Sequence, residues 1–234
     1  MESYAVFRLI IVFVFMVIVL GKLIARLFFK GNPMTTKFIA RTAVFAAISI
    51  ILYTIPFLKF SLPFFPAFLE IHLDEIPAFI AAFAYGPLSG FVVILVKTVV
   101  KLPLTGTAGV GELADFIYSV AFVIPAAIIY KKNRTLKGAL ISLLVATVIQ
   151  VIMASLCTTY VMLDMYSILY HLPKPVILNM CQKVNPAIKD LGLPFLFMVA
   201  LPFNALKDAI VVVATFVLYK RLRNLFKYIE AQKN

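Results

Sequence analysis
The chain has 234 residues, of which 63% are hydrophobic and 14% charged, with a mean hydropathy of +1.04. That is too apolar for a soluble globule of this length and reads as an all-α integral membrane protein. The formal charge of +12 sits in short basic clusters between apolar runs, the distribution that orients a membrane protein, so nucleic-acid binding is excluded as the reading. With 22 Phe and no Trp, the interfacial anchors are Tyr and Phe. The two cysteines, Cys157 and Cys181, have no metal-type spacing and form no disulfide framework.

Residues 1–30 hold an apolar run, 9–21, bracketed by Arg8 and Lys22. The run is short for the roughly 20 residues of a span, which snorkelling of those two side chains lengthens. A cleaved signal peptide fits less well, since the positive residues lie mostly after the apolar core and no A-x-A-like site follows. The expectation is an accessory N-terminal helix over 1–30, a membrane domain over 38–220 and a basic tail over 221–234. After a polar hinge at 31–37 the spans of that domain begin with 38–57, where Ala43 and Ala47 share one helical face. Small residues at that spacing admit close approach of a second helix, either within this chain or from a docking partner.

Residues 59–66 place Pro63 and Pro66 around Phe64 and Phe65 and read as an aromatic loop at the membrane face. Asp74 and Glu75 then open a short helix to Tyr85, acidic residues being favoured at a helix N-terminus. Gly86-Pro87 turns the chain into a helix over 88–102 that carries Lys97 and Lys101 one turn apart. Residues 102–111 (LPLTGTAGVG) break that helix. No strand precedes these glycines and no GxxxxGK[ST] occurs, so the expectation is a reentrant or surface loop beside a cavity or water, not a nucleotide site.

Further spans follow at 112–130, 138–163 and 195–218, with a long Pro-containing connection over 164–194 read as loop plus a short interfacial helix. The hinge before Arg41, the cluster of Lys131, Lys132, Arg134 and Lys137, and the C-terminal basic residues all fall on one side, the cytoplasm by the positive-inside rule. Six core helices result, with a seventh N-terminal one. The carboxylates Glu70, Asp74, Glu75, Glu112 and Asp115, with Lys97, Lys207 and Asn204, gather toward the outer half. Ionisable groups at membrane depth are costly and tend to serve a substrate or ion. Asn204 and Lys207, three apart on one helix, point the same way, and an Asn offers the donor and acceptor that a heterocyclic amide or imide edge requires. The alternative is internal ion pairing of Lys207 with Asp115 or Glu112.

Taken as a set, residues 62–77 (LPFFPAFLEIHLDEIP), Tyr85-Gly86-Pro87 with Gly90, Lys97, residues 107–116 (TAGVGELADF), and Pro202-Phe203-Asn204 with Lys207 resemble the substrate-binding S components of energy-coupling factor vitamin transporters, in particular the riboflavin-specific branch. The resemblance covers roughly residues 38–218. It implies a six-helix bundle in a prokaryotic cell membrane, both ends of the core cytoplasmic, that binds riboflavin from outside under the loop after its first helix. Asn204 and Lys207 are implied to bond the isoalloxazine ring, while Phe64, Phe65, Thr105, Thr107 and Lys97 enclose ring and ribityl chain. Ala43 and Ala47 are implied to dock on a transmembrane coupling subunit, with ATP hydrolysis left to two separate ATPase subunits. Riboflavin is then substrate, and no cofactor, metal or catalytic residue is expected. Three positions depart from the pattern: Lys101 stands for a His-like residue, and Thr98 and Asp115 for Asn. Each bears on ligand preference, so riboflavin monophosphate or another vitamin such as pantothenate or folate stays open. A different class, a small intramembrane enzyme with Glu112 and Asp115 as acid and base, lacks a nucleophile-base set, since His72 and His171 stand alone.

Overall fold
The computed structural model describes residues 35–231; the expected N-terminal helix over 1–30 lies outside them. Five stretches among the described residues are helical, long and apolar enough to cross a membrane: Thr36–Thr54, Pro87–Leu104, Val110–Lys132, Leu136–Leu169 and Leu193–Leu222. A sixth helix, Glu75–Tyr85, is too short to span alone.

Helix α1 (Thr36–Thr54) starts where the Thr35 hydroxyl accepts from the Phe38 amide at 3.2 Å. It buries Thr42, Ala46, Ser49 and Tyr53, a stripe of helical period, and exposes Ile39, Val44, Ile48 and Ile51. Pro56 ends it, and a 3₁₀ turn (Pro56–Leu58) leads into a two-stranded hairpin, β1 (Phe60–Ser61) against β2 (Glu70–Ile71), with Phe60 opposite Ile71. The expected aromatic loop is thus the crown of a hairpin. Its two prolines sit between the strands, where no ladder amide is needed.

Helix α2 (Glu75–Tyr85) is buried along almost its whole length, and Gly86, at φ 105°, takes the left-handed turn into α3 (Pro87–Lys101). Gly90 makes the α2–α3–α4 contact possible: a Cβ there would meet the Ala82 Cβ at 2.7 Å and Val123 at 3.0 Å. A 3₁₀ turn (Leu102–Leu104) and a loop with Gly109 at φ 85° precede α4 (Val110–Lys132). Helix α5 (Leu136–Cys157), capped by Thr135, continues through a π turn (Thr158–Met162) into α6 (Leu163–Leu169). The span expected to end near residue 163 therefore runs a further turn and a half. Helix α7 (Lys174–Val184) is the short helix expected in the long connection. A single turn, α8 (Leu193–Phe195), and a second π turn (Leu196–Ala200) open α9 (Leu201–Ala231).

Helices α1, α2 and α4 pack on α3, and α9 closes the bundle against α5 and α2. The apolar interior has two levels. At the end carrying Lys131 and Lys132, Phe79, Phe83, Phe122, Tyr130 and Tyr219 pack largely edge-on, with Tyr130 and Tyr219 hydroxyls 2.8 Å apart. At the opposite end Phe65, Ile71, Leu163, Ile177, Phe195 and Phe203 form a second cluster joining the hairpin, α6, α7 and α9. Side chains on the bundle's outside, such as Ile141, Leu144, Val148 and Ile152 of α5, are apolar and exposed, as a lipid-facing surface requires.

Candidate functional site: a polar-floored cavity at one end of the bundle
Between the two apolar levels lies a cavity of about 500 Å³, within the usual range of ligand sites. Its walls are the hairpin, the ends of α1, α3 and α4, the α5–α6 junction, α7 and α9. Aromatic faces dominate them: Tyr53, Phe68, Tyr118, Tyr166, Tyr170 and Phe203. The polar lining is Asn204, Lys207, Thr107, Glu112, Asp115 and His72, with Lys59, Glu70 and Lys101 also contributing.

Asn204 and Lys207, predicted together, do share the cavity lining, each about 5–6% exposed. The Asn204 amide nitrogen donates to the Ala200 carbonyl at 2.8 Å and to the Ser155 hydroxyl at 3.1 Å. A carbonyl can only accept, so the amide orientation is fixed, and the Asn204 oxygen is the atom left for a ligand donor. The Lys207 ammonium is paired with Glu75 Oε1 at 2.9 Å and stands 3.9 Å from Asp115 Oδ1. Its main partner is therefore Glu75, at the start of α2, which sequence reasoning did not pair with it.

Lys97 is placed differently from expectation. It is fully buried behind the cavity floor, bonded to Asp74, to Asp115 Oδ2 at 2.7 Å and to Ser119 at 3.0 Å. Its position makes it the counter-ion that lets two carboxylates sit at membrane depth, rather than a wall of the cavity. Between Asp74 and Asp115 stands His72, with Nδ1 on Asp74 Oδ1 and Nε2 3.6 Å from Asp115 Oδ1; the Tyr53 ring covers it at 5.2 Å. Helix α1 joins the same network, since the Ser49 hydroxyl donates to the Asp74 carbonyl at 2.7 Å. His72, Asp74 and Glu75 lie near enough to ligate one ion, but the Lys97 and Lys207 ammoniums already neutralise the two carboxylates.

The loop after α3 is knitted by its threonines. Thr105 Oγ1 donates to Glu112 Oε2 at 2.7 Å and accepts the Thr107 and Gly109 amides, while Thr107 Oγ1 donates to the same carboxylate oxygen at 3.2 Å. Thr107 faces the cavity and Thr105 lies behind it, holding the loop. Of the phenylalanine pair, Phe65 is buried edge-on against Phe203 at 5.3 Å and Phe64 is 58% exposed, and neither is among the residues that line the cavity. Ala43 and Ala47 are exposed on α1, away from the cavity and on the flank next to the stripe of Thr42, Ala46 and Ser49. Sequence reasoning missed Tyr53, Tyr118, Tyr166 and Phe203. Tyr118 carried the one available signal, lying beyond Glu112 and Asp115 on a single face of α4 at helical spacing, and its hydroxyl meets Thr158 at 2.7 Å.

Residues 37–219 match the family model described as "ECF transporter, substrate-specific component". Among characterised proteins the chain is similar to the riboflavin transporter RibU of Staphylococcus aureus (strain TCH60), 28% identical over 189 residues, covering 81% of this chain and 93% of that one. It is also similar to the riboflavin transporter FmnP of Bacillus subtilis (strain 168), 30% identical over 200 residues, covering 84% and 97%. Its fold resembles a solved S component of a bacterial ECF transporter, with TM-score 0.66, 26% identity, and coverage of 83% of this chain and 99% of the other. The cavity, its polar floor and the helices that carry them all fall within the matched region, and the chain therefore belongs to the family of ECF transporter substrate-specific components: it is a membrane transport subunit and not an enzyme.

Proposed function
We propose that this chain captures riboflavin, or a close flavin, in the cavity and presents it to an ECF importer. The observation that carries the reading is the juxtaposition of Asn204 and Lys207 on the floor of an aromatic-walled cavity. A flavin ring asks for flat apolar faces and, along its pyrimidine edge, for a hydrogen-bond acceptor beside its N–H and donors to its carbonyls. The Asn204 oxygen supplies the acceptor, the Lys207 ammonium a donor, and Tyr166, Phe68 and Phe203 the faces. The similarity to two riboflavin transporters supports the same ligand.

The cationic cluster of Lys131, Lys132, Arg134 and Lys137 lies at the end of the bundle remote from the cavity, as do Lys220 and Arg221. By the positive-inside rule that end is cytoplasmic and the cavity opens outward. The exposed Ala43 and Ala47 face is the docking surface for a transmembrane coupling subunit, and two further subunits hydrolyse ATP. The deciding experiment is the absorption spectrum of the purified protein, followed by titration with riboflavin, riboflavin monophosphate and pantothenate under flavin-fluorescence or calorimetric readout. A yellow protein, or saturable quenching by riboflavin, is the expected outcome. A colourless protein that quenches no flavin removes the reading, and heat released with pantothenate alone reassigns the ligand.

A further inference from the structure
Asp208 comes directly after the ligand-facing Lys207 on α9 and has no exposed surface; neither of its carboxylate oxygens meets a hydrogen-bond donor among the described residues. A buried carboxylate so left is rare, because an isolated charge at membrane depth is among the costliest things a bundle can hold. The charges around it leave no counter-ion to spare. Lys97 answers Asp74 and Asp115, Lys207 answers Glu75, and His72 lies between Asp74 and Asp115. Glu75 and Lys207 are the charged groups that act on Asp208: Glu75 from α2, Lys207 from α9 itself. Helices α5 and α9 are joined by the Asn204–Ser155 bond, and α5 carries Gln150 about a turn and a half further along from Ser155. The Gln150 carboxamide is also fully buried, with neither end bonded.

Glu75 completes the pattern: one of its oxygens takes the Lys207 ammonium, and the other, Oε2, is buried without a donor. A buried carboxyl group with neither a donor nor a counter-ion to spare avoids an uncompensated charge by keeping its proton. We propose that Asp208 is a neutral carboxylic acid in the resting protein, and that this neutrality keeps the Lys207 ammonium on Glu75 and turned to the cavity. Asp208 is then a positioning residue. Ionised, it would be a second carboxylate next to Lys207 in sequence, itself outside the cavity lining, and would compete with Glu75 for the ammonium. The consequence for ligand binding rests on the flavin reading above; the protonation state does not.

The test compares the full chain with Asp208→Asn, a neutral side chain of the same shape, in detergent or nanodiscs. Infrared difference spectra at neutral pH should contain the carbonyl stretch of a protonated carboxylic acid, shifted by deuterium exchange and missing from Asp208→Asn. The variant should melt near the parent temperature and bind riboflavin within about threefold of the parent. Absence of that band in the parent overturns the proposal. So does a well-folded Asp208→Asn protein that has lost more than tenfold in affinity, for then a charged Asp208 is what Lys207 needs. If neither protein binds any flavin, the flavin reading fails, and the infrared band alone still decides the state of Asp208.

Discussion
Asn204, Lys207 and Lys97 were all candidates for the same task, and burial separates them. Truncating Asn204 or Lys207 to Ala should weaken flavin binding by about 1–3 kcal/mol each, the scale of a buried hydrogen-bonding group left without its partner. Asn204→Ala should keep the parent's unfolding temperature, whereas Lys207→Ala should also lower it, because it leaves the buried Glu75 without its counter-ion. Fluorescence titration checks this, and unchanged quenching in both variants would mean that the ligand sits elsewhere. Lys97→Ala should act on stability instead. It strands Asp74 and Asp115 in the interior, a loss of the order of 3–5 kcal/mol, read as a large drop in unfolding temperature. A Lys97→Ala protein that melts normally but binds poorly would return Lys97 to the cavity wall. The sequence could place a lysine in the bundle but not choose between ligand and ion pair, because that choice depends on Asp74 and Asp115, which arrive from α2's N-cap and from α4.

Among the elements, α1 presents one face to the bundle and another to its outside. Its inner stripe reaches the polar floor through Ser49 and Tyr53, while Ala43 and Ala47 face outward. Replacing both alanines by Leu should abolish uptake in cells and leave ligand binding by the purified protein intact, since larger side chains hold a partner helix away. Loss of binding as well would show that the outward face is needed for the bundle, and surviving uptake would move the docking surface elsewhere. Spans were legible because each is a long apolar run between basic clusters or proline-glycine turns. The hairpin was not: strands of two residues leave no alternation to read, and Phe60–Ser61 and Glu70–Ile71 pair across a loop whose prolines dominate the local pattern. The two π turns were equally hidden, since Thr158–Met162 and Leu196–Ala200 keep the composition of ordinary helix. They matter because an extra residue in a turn rotates the downstream helix by about 100°, which brings Tyr166 to the cavity without disturbing α5's packing further in.

For the whole molecule, the described bundle contains every group assigned to the ligand. A chain lacking residues 1–30 should therefore bind flavin with the affinity of the full protein, and loss of binding would give that segment a part in the site. Orientation has its own check. A cysteine at Arg134, in a Cys157→Ser, Cys181→Ser background, should react with impermeant maleimide only in inside-out vesicles, whereas one at Phe64 should react only in right-side-out cells. The reverse pattern would place the cavity on the cytoplasmic face. Six helices could be read from charge and apolar length. The cavity itself could not, because Tyr53, Tyr118, Tyr166 and Phe203 come from four separate helices and meet only in the fold.

The edge-on packing of Phe79, Phe83, Phe122, Tyr130 and Tyr219 beneath the polar floor makes the bundle an insulator. A dry aromatic plug offers a polar solute neither solvent nor hydrogen bonds, and close-packed side chains open no continuous path through it. On the proposed reading, a ligand held above the plug should leave the isolated subunit by the mouth through which it entered. In sealed vesicles this protein alone should accordingly act as a buffer for its ligand and never as a leak, so that the permeability of the membrane stays independent of how many copies it carries.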